Sequence, residues 1–337
     1  MNVVFRVNIK NVGYGHFKRC LSIAKELVER DLKVDFFVDD ASAMDIMHAC
    51  NINIHVIEHE HEHVFCEFIF HKEIHGVILD GYFANEQYIK NLKLKFPNIF
   101  IVILDSLKRG LMGSDLLVNQ ALYAKDFYKN EHHNKRYLLG ERYVILSDEY
   151  KNKSSYVLRE VQSVLITMGG LDPNDITLKL LPYLLVAYPK IKFVVILGKY
   201  FKSKEAIINL RNTYNNLCIL ENLTSLKNVI DQCDICISAA GTTVFEIARC
   251  GRPMMIFAQE ENQLFTSKYW EQQTGILNMG YFNEKNMKIY LKNLNELIIN
   301  SKLRKKQSDM LLKNSQYGTS NLVDELIKNL KTNSGDR

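Results

Sequence analysis

Twice along this chain, short runs of β-branched and aromatic residues give way to glycine turns and then to amphipathic helices. No other feature narrows the possible folds as much. The first instance is Val3-Val4-Phe5-Arg6-Val7, followed by Gly13-Tyr14-Gly15 and a helical pattern over 17–30. In that helix Leu21, Ala24, Leu27 and Val28 share one face, with Lys25, Glu26 and Glu29 on the other. Strands are expected at 33–38, 52–57, 76–80, 99–104 and 115–119, with helices at 41–50, 62–72 and 86–96 between them. Strands alternating with helices at this spacing require crossover connections, hence a parallel sheet with helices on both faces.

The alternation restarts after a polar stretch whose end, 149–155, reads as a linker. Strands are expected at 161–167, 192–197, 217–220, 234–238 and 254–257, with helices at 175–186, 204–214, 225–233 and 244–250. Beyond 280 the pattern is helical, at 283–299, 303–313 and 322–331. A chain of 337 residues is longer than one core usually holds. The expected architecture is therefore α/β, with two Rossmann-like domains, 1–152 and 153–315, facing a central cleft. Residues 316–337 are expected to form a C-terminal helix packing back on the first domain.

Composition excludes several classes. Hydrophobic residues make up 47% and charged residues 24%, so extended disorder is not expected. The net charge of +5 is not arranged as a basic stripe with interleaved aromatics, which argues against a nucleic-acid partner. The Lys-rich segment 301–337 carries apolar residues at helical spacing and reads as helix with a solvated face. Seven scattered cysteines point to a reducing compartment, and Cys233 and Cys236 have C-x-x-C spacing without a second ligand pair. The run Glu58-His59-Glu60-His61-Glu62-His63 reads as a solvated connector, with a metal site as the alternative. No apolar run approaches a membrane span, so a cytoplasmic protein without membrane insertion is expected, and a monomer is favoured.

Two stretches carry chemistry. His16 opens a helix at the carboxyl end of the first strand, where open α/β sheets bind ligands. A histidine there can act as a general base, or the loop can be an ordinary tight turn. The second stretch is Ser238-Ala239-Ala240-Gly241-Thr242-Thr243-Val244-Phe245-Glu246. Its small residues admit a ligand to the backbone, Thr242 can cap the next helix, and Glu246 can reach a ribose. With Gly169 and Gly170 at another strand end, it reads as a diphosphate pocket.

From Ser238 through Gly251-Arg252-Pro253 to Asn262-Gln263, the order resembles the donor-binding half of GT-B-type glycosyltransferases that use UDP-sugars. More closely, the chain resembles the hydrolases of pseudaminic acid biosynthesis, which cleave UDP-2,4-diacetamido-2,4,6-trideoxy-β-L-altropyranose to free sugar and UDP. The matching segments are Gly13-Tyr14-Gly15-His16 with Lys18-Arg19-Cys20-Leu21, Leu79-Asp80-Gly81-Tyr82, Leu138-Leu139-Gly140-Glu141-Arg142-Tyr143, Met168-Gly169-Gly170-Leu171-Asp172-Pro173, 238–246 and Glu261-Asn262-Gln263. The resemblance implies His16 as acid/base residue, with Tyr82 and Asn262 as further catalytic groups. It also implies Gly13, Gly15, Arg19 and Asn8 toward the sugar, and Gly169, Gly170, Ala240, Gly241, Thr242, Glu246 and Gln263 toward UDP. No metal or other cofactor is implied. Water attack opposite the leaving group would invert the anomeric centre. One position departs from the family. An aspartate is usual two residues after the first-strand arginine, and this chain has Arg6-Val7-Asn8. An amide cannot serve as a base.

Overall fold

The computed structural model describes residues 1–10, 14–44, 52–58, 61–106, 108–131, 134, 136–154, 156, 160–198, 200–221, 223 and 225–335, Tyr14 by its backbone alone. They form two compact units, Met1–Asp148 with Tyr317–Arg337, and Glu149–Gln316.

The first unit runs β1 (Asn2–Val7), α1 (Tyr14–Val28), β2 (Lys33–Val38), β3 (Asn53–Val56), α2 (Glu62–His71), β4 (Gly76–Asp80), α3 (Glu86–Lys95), β5 (Phe100–Leu104), β6 (Leu116–Asn119), α4 (Ala124–Phe127) and β7 (Tyr137–Leu139). All pairings are parallel, in the order β3-β2-β1-β4-β5-β6-β7. Strands β4 and β5 are buried throughout, as a sheet covered on both faces requires. Successive side chains of β1 divide between two cores: Val3, Phe5 and Val7 enter one and Val4 the other. The strand order reverses between β1 and β4, with Val7 registered against Asp80. Loops leaving that reversal diverge and open a crevice at the carboxyl edge.

The second unit runs β8 (Ser163–Thr167), α5 (Ile176–Ala187), β9 (Lys192–Leu197), α6 (Lys204–Asn209), β10 (Leu217–Glu221), α7 (Lys227–Gln232), β11 (Ile235–Ala239), α8 (Thr243–Arg249), β12 (Met254–Ala258), α9 (Glu261–Thr274), β13 (Leu277–Tyr281), α10 (Met287–Ile299) and α11 (Ser301–Asn314). Its parallel sheet has the order β10-β9-β8-β11-β12-β13, reversing between β8 and β11. Thr167 is there registered against Ser238. The last helix, α12 (Thr319–Gly335), belongs to the first unit. It buries Leu322, Val323, Leu326 and Leu330 in the same core as α1.

Three elements escape the periodicity. Strand β13 is half-exposed and its pairing with β12 slips register, so it shows no apolar run. Strand β7 has three residues at a sheet edge. Helix α9 is polar over most of its surface, burying only Ser267, Trp270 and Thr274, and stops at Gly275 with φ +69. The helix expected over 204–214 ends at Asn209 and tightens into the 3₁₀ turn Leu210–Asn212. The helix expected over 41–50 falls largely on 45–50, outside the described residues. Among the described residues, no helix is long and apolar enough to cross a membrane. None of their His, Cys, Asp or Glu side chains group to hold a metal ion.

Leu326 is 1% exposed in the α1–α12 core. Leu326→Ala should therefore remove about 2–4 kcal/mol from the stability of the first unit, as large-to-small core changes do. Urea denaturation followed by far-UV circular dichroism should show the transition of the first unit moving to lower urea.

Candidate active site

In the first unit the site is built around one carboxylate. Asp80 ends the apolar strand Gly76-Val77-Ile78-Leu79-Asp80, and its side chain is fully buried. Helix α1 begins at Tyr14, which places His16, Arg19 and Cys20 at i, i+3 and i+4 on one face. All three meet Asp80. His16 Nδ1 lies 2.6 Å from Oδ1, Arg19 donates through Nε to Oδ2 at 2.6 Å and through Nη2 to Oδ1, and Cys20 Sγ donates to Oδ2 at 3.3 Å. Burial opposes charge on this carboxyl, but Arg19 and then His16 outweigh it and hold Asp80 well below the usual carboxylate range. Burial and the neighbouring Asp80 push the Cys20 thiol well up, so it stays a donor.

An ionised oxygen 2.6 Å from Nδ1 requires the imidazole proton to sit on Nδ1. The Arg19 Nη2 contact to the same nitrogen is longer, 3.3 Å, and does not reverse that choice. In the neutral ring Nε2 carries the lone pair, and the side chain is 16% exposed. This arrangement of carboxylate, oriented imidazole and free basic nitrogen can take a proton from water. The Tyr82 ring, 48% exposed, stands edge-on to the imidazole with centroids 5.8 Å apart.

Asn8 and Arg19, expected toward the sugar, are spent on the protein. Asn8 Nδ2 donates to Asp39 Oδ2 at 2.7 Å, and Asp39 Oδ1 accepts from the backbone of Ile9 at 2.6 Å and Lys10 at 3.1 Å. A second carboxylate at position 8 would face Asp39 oxygen to oxygen. The amide at this position is thus a donor that completes a loop anchor, and Arg19 is the counter-charge of Asp80. Gly15 is exposed in the first turn of α1, and Gly13 lies outside the described residues.

In the second unit, two glycine turns leave the ends of β8 and β11. Gly169 has φ +79, a conformation that side chains rarely adopt. The turn lies so close over Gly198 that a Cβ there would come within 2.4 Å of the Gly170 carbonyl oxygen. In the first turn of α9, Gln263 Oε1 accepts from the backbone of Gln259 in the β12–α9 connection at 3.0 Å. Its Nε2 lies 3.8 Å from where a Cβ on Gly241 would stand. Gln259 Nε2 reaches the Met168 carbonyl and Asp172 Oδ1, both at 3.4 Å. Gln259 thus ties the β12–α9 connection to the turn bearing Gly169 and Gly170, and Gln263 stands beside Gly241. Ala240 donates to Phe257 O at 2.8 Å.

One capping expectation needs correction. Thr242 makes no side-chain cap, because at φ −65, ψ −28 it has already turned helical. At the start of α5, Asp175 holds the N-cap position without a side-chain cap hydrogen bond. The buried Asp172 takes that role, accepting from Ile176 at 2.9 Å and Thr177 at 2.8 Å. Glu246 sits half-buried in the first turn of the seven-residue α8, and after burial its charge is the main influence raising the Tyr150 hydroxyl. Asn262 stands in the first turn of α9, its carbonyl accepting from Thr266.

Sequence reasoning passed over two groups. Asp80 was visible as an acid closing an otherwise apolar strand, which is a signal that it meets a cation. Gln259 carries no signal of its own, since a lone glutamine after a strand is ordinary.

No protein-family model matches the chain. Among curated proteins it is similar to an uncharacterized protein of Methanocaldococcus jannaschii, 25% identical over 269 residues, covering 75% of this chain and 54% of that protein. The chain thus spans about half the length of that relative. It is also similar to the spore coat polysaccharide biosynthesis protein SpsG of Bacillus subtilis, 22% identical over 276 residues and 80% of both chains. Among solved structures, the UDP-GlcNAc 2-epimerase of Neisseria meningitidis bound to UDP-GlcNAc matches with a TM-score of 0.71 at 12% identity, covering 97% of this chain and all of that one. MurG of Acinetobacter baumannii matches with a TM-score of 0.66 at 15% identity over 97% and 100%. The fold is that of GT-B proteins.

Asp80→Asn leaves the Arg19 guanidinium buried without its counter-charge, a change that typically costs about 3–5 kcal/mol. The folded carboxyl is depressed below its unfolded value of ~3.9, so its contribution is complete above that value and is lost as pH falls toward the folded one. Urea titrations should therefore show a wild-type advantage over Asp80→Asn that is wide at about pH 7 and narrower at about pH 3. An advantage independent of pH would mean that Asp80 is not ionised in the fold.

Proposed function

We propose that this protein hydrolyses a UDP-linked amino-deoxy sugar of the diacetamido-trideoxy class, breaking the anomeric C–O bond to give free sugar and UDP. The observation that carries this reading is the buried Asp80 carboxylate 2.6 Å from His16 Nδ1. Water gives a proton to His16 Nε2 as its oxygen bonds to the anomeric carbon, and the bond to the diphosphate oxygen breaks on the opposite face. The imidazolium that forms is stabilised by Asp80, while Arg19 keeps that carboxylate charged. Attack from the far face inverts the anomeric centre.

The leaving diphosphate is assigned to backbone N–H groups of the turns at Gly169-Gly170 and Gly241-Thr242, with Ala240, whose own N–H is held by Phe257 O, leaving the approach open by its small side chain, Glu246 on the ribose and Gln263 beside Gly241. Gly13 and Gly15 admit the sugar, Tyr82 lines it, and Asn262 supplies a further polar group. The reading requires no metal or other cofactor. It is supported by the GT-B fold, shared with an epimerase solved with UDP-GlcNAc, and by the similarity to SpsG, whose name places it in polysaccharide biosynthesis. Since the fold is also that of glycosyltransferases, transfer of the sugar to an acceptor is the second reading.

Purified protein incubated with a panel of UDP-amino sugars, without acceptor, should release UDP. His16→Ala should lower kcat by about 10²–10⁴-fold, the usual worth of a general base, while UDP still binds. Release only on adding an acceptor would favour the transferase, and binding without release a silent nucleotide-sugar binding protein. Glu246→Ala should weaken UDP binding roughly ten- to a hundredfold by calorimetry, the loss of charge-assisted hydrogen bonds, with kcat at saturation little changed.

A further inference from the structure

The β4–α3 loop that carries Tyr82 is held from outside its own sequence. Arg109 Nη1 donates to the carbonyls of both Gly81 and Ala84, each at 3.2 Å, and so closes the loop around Tyr82 and Phe83. Arg109 is itself fixed by Asp105, a buried acid that follows β5. Asp105 accepts from Arg109 Nε at 2.9 Å, from the Arg109 backbone at 3.1 Å and from the Tyr128 hydroxyl at 2.6 Å. Between Asp105 and β6 the backbone is left-handed at Lys108, Gly110, Met112 and Gly113. Two of those four lack the freedom of glycine. Left-handed backbone at such residues persists only where surrounding contacts enforce it.

From the other side the buried Arg6 guanidinium stands 5.0 Å from the Phe83 ring and is paired with Glu62, which also accepts from the Tyr88 hydroxyl. Gly81 is pressed against Asn8, whose Oδ1 is 2.4 Å from where a Cβ on Gly81 would lie. Residues 81–84 are thus fixed through their carbonyls and through Phe83, while the Tyr82 ring is presented edge-on to His16.

We propose that Arg109 is a positioning residue, acting through the Gly81 and Ala84 carbonyls to hold Tyr82 against the His16 imidazole. The proposal rests on the reading of His16 and Tyr82 as groups that face the sugar. Arg109 touches neither substrate nor His16 in this scheme, and Asp105 acts one step further back by aiming Arg109.

The test uses the full chain as wild type, Arg109→Ala and Arg109→Lys, the last retaining a cation beside Asp105 that can reach one carbonyl. Amide hydrogen exchange of peptides covering 81–89 is measured together with UDP release and with UDP binding by calorimetry. The expected result for Arg109→Ala is faster exchange confined to 81–89, a fall in kcat on the order of 10²-fold from misplacement, and an unchanged Kd for UDP. Arg109→Lys should recover part of both the protection and the rate. Unchanged exchange at 81–89 in Arg109→Ala, or faster exchange with an unchanged kcat, overturns the proposal. If Arg109→Ala does not fold, the partial effects in Arg109→Lys decide it by the same two criteria. Absence of UDP release by the wild type would contradict the hydrolase reading alone, and loop exchange would still show whether Arg109 fixes the loop.

Discussion

The first unit depends on a carboxylate that ought not to be charged where it lies. Asp80 is fully buried at the end of a central strand, and burial alone would drive it neutral. Arg19 reverses that outcome with two hydrogen bonds in the fork geometry that suits a carboxylate. Once Asp80 is ionised, the Nδ1 proton of His16 has a fixed place, and in the neutral ring the lone pair is on Nε2. Parallel register puts the carboxylate at the sheet reversal, and the helix period puts its three partners on one face of α1. A pair of this kind does not prove stability, since desolvation cancels much of its attraction. What it supplies here is a defined proton position.

The same device recurs along the carboxyl edge of that sheet. Asp39 follows β2, Asp80 ends β4 and Asp105 follows β5, and all three are buried. Asp39 ties down the backbone of Ile9 and Lys10 with the help of Asn8. Asp80 holds the opening of α1, and Asp105 directs Arg109 at the loop bearing Tyr82. Each acid turns a loop that would otherwise wander into a fixed edge of the crevice. Loops at such edges carry function because a rigid sheet places them, and here the placement is electrostatic as well as steric.

Much of this was legible in the residues. Apolar runs such as Gly76 to Leu79 and Ile235 to Ile237 announced the central strands, and Leu21, Ala24, Leu27 and Val28 announced α1, because burial on both faces or along one stripe dictates those patterns. His16 stood out because it follows a strand and opens a helix. The roles of Asn8 and Arg19 were not legible, since nothing local reveals that Asp39 and Asp80 will converge on them from 31 and 61 residues away. Thr242 misled because a threonine before a helix usually caps it, whereas here the chain is already helical at that residue. Strand β13 and helix α9 were hidden by their exposure, for an element that buries little leaves little periodicity.

In the second unit the glycine turns are shaped by backbone constraints rather than charge. Gly169 and Gly198 are glycine for conformation and close approach, Gln259 holds the Gly169-Gly170 turn through the Met168 carbonyl, and Gln263 stands beside Gly241. The proposed chemistry turns on the state of His16. Nitrogen-15 NMR of the imidazole near pH 8 measures it directly, in wild type and in Asp80→Asn. The expected result is a protonated Nδ1 and a bare Nε2 in the wild type, with that preference lost in Asp80→Asn. A wild-type imidazole protonated on Nε2 would contradict it.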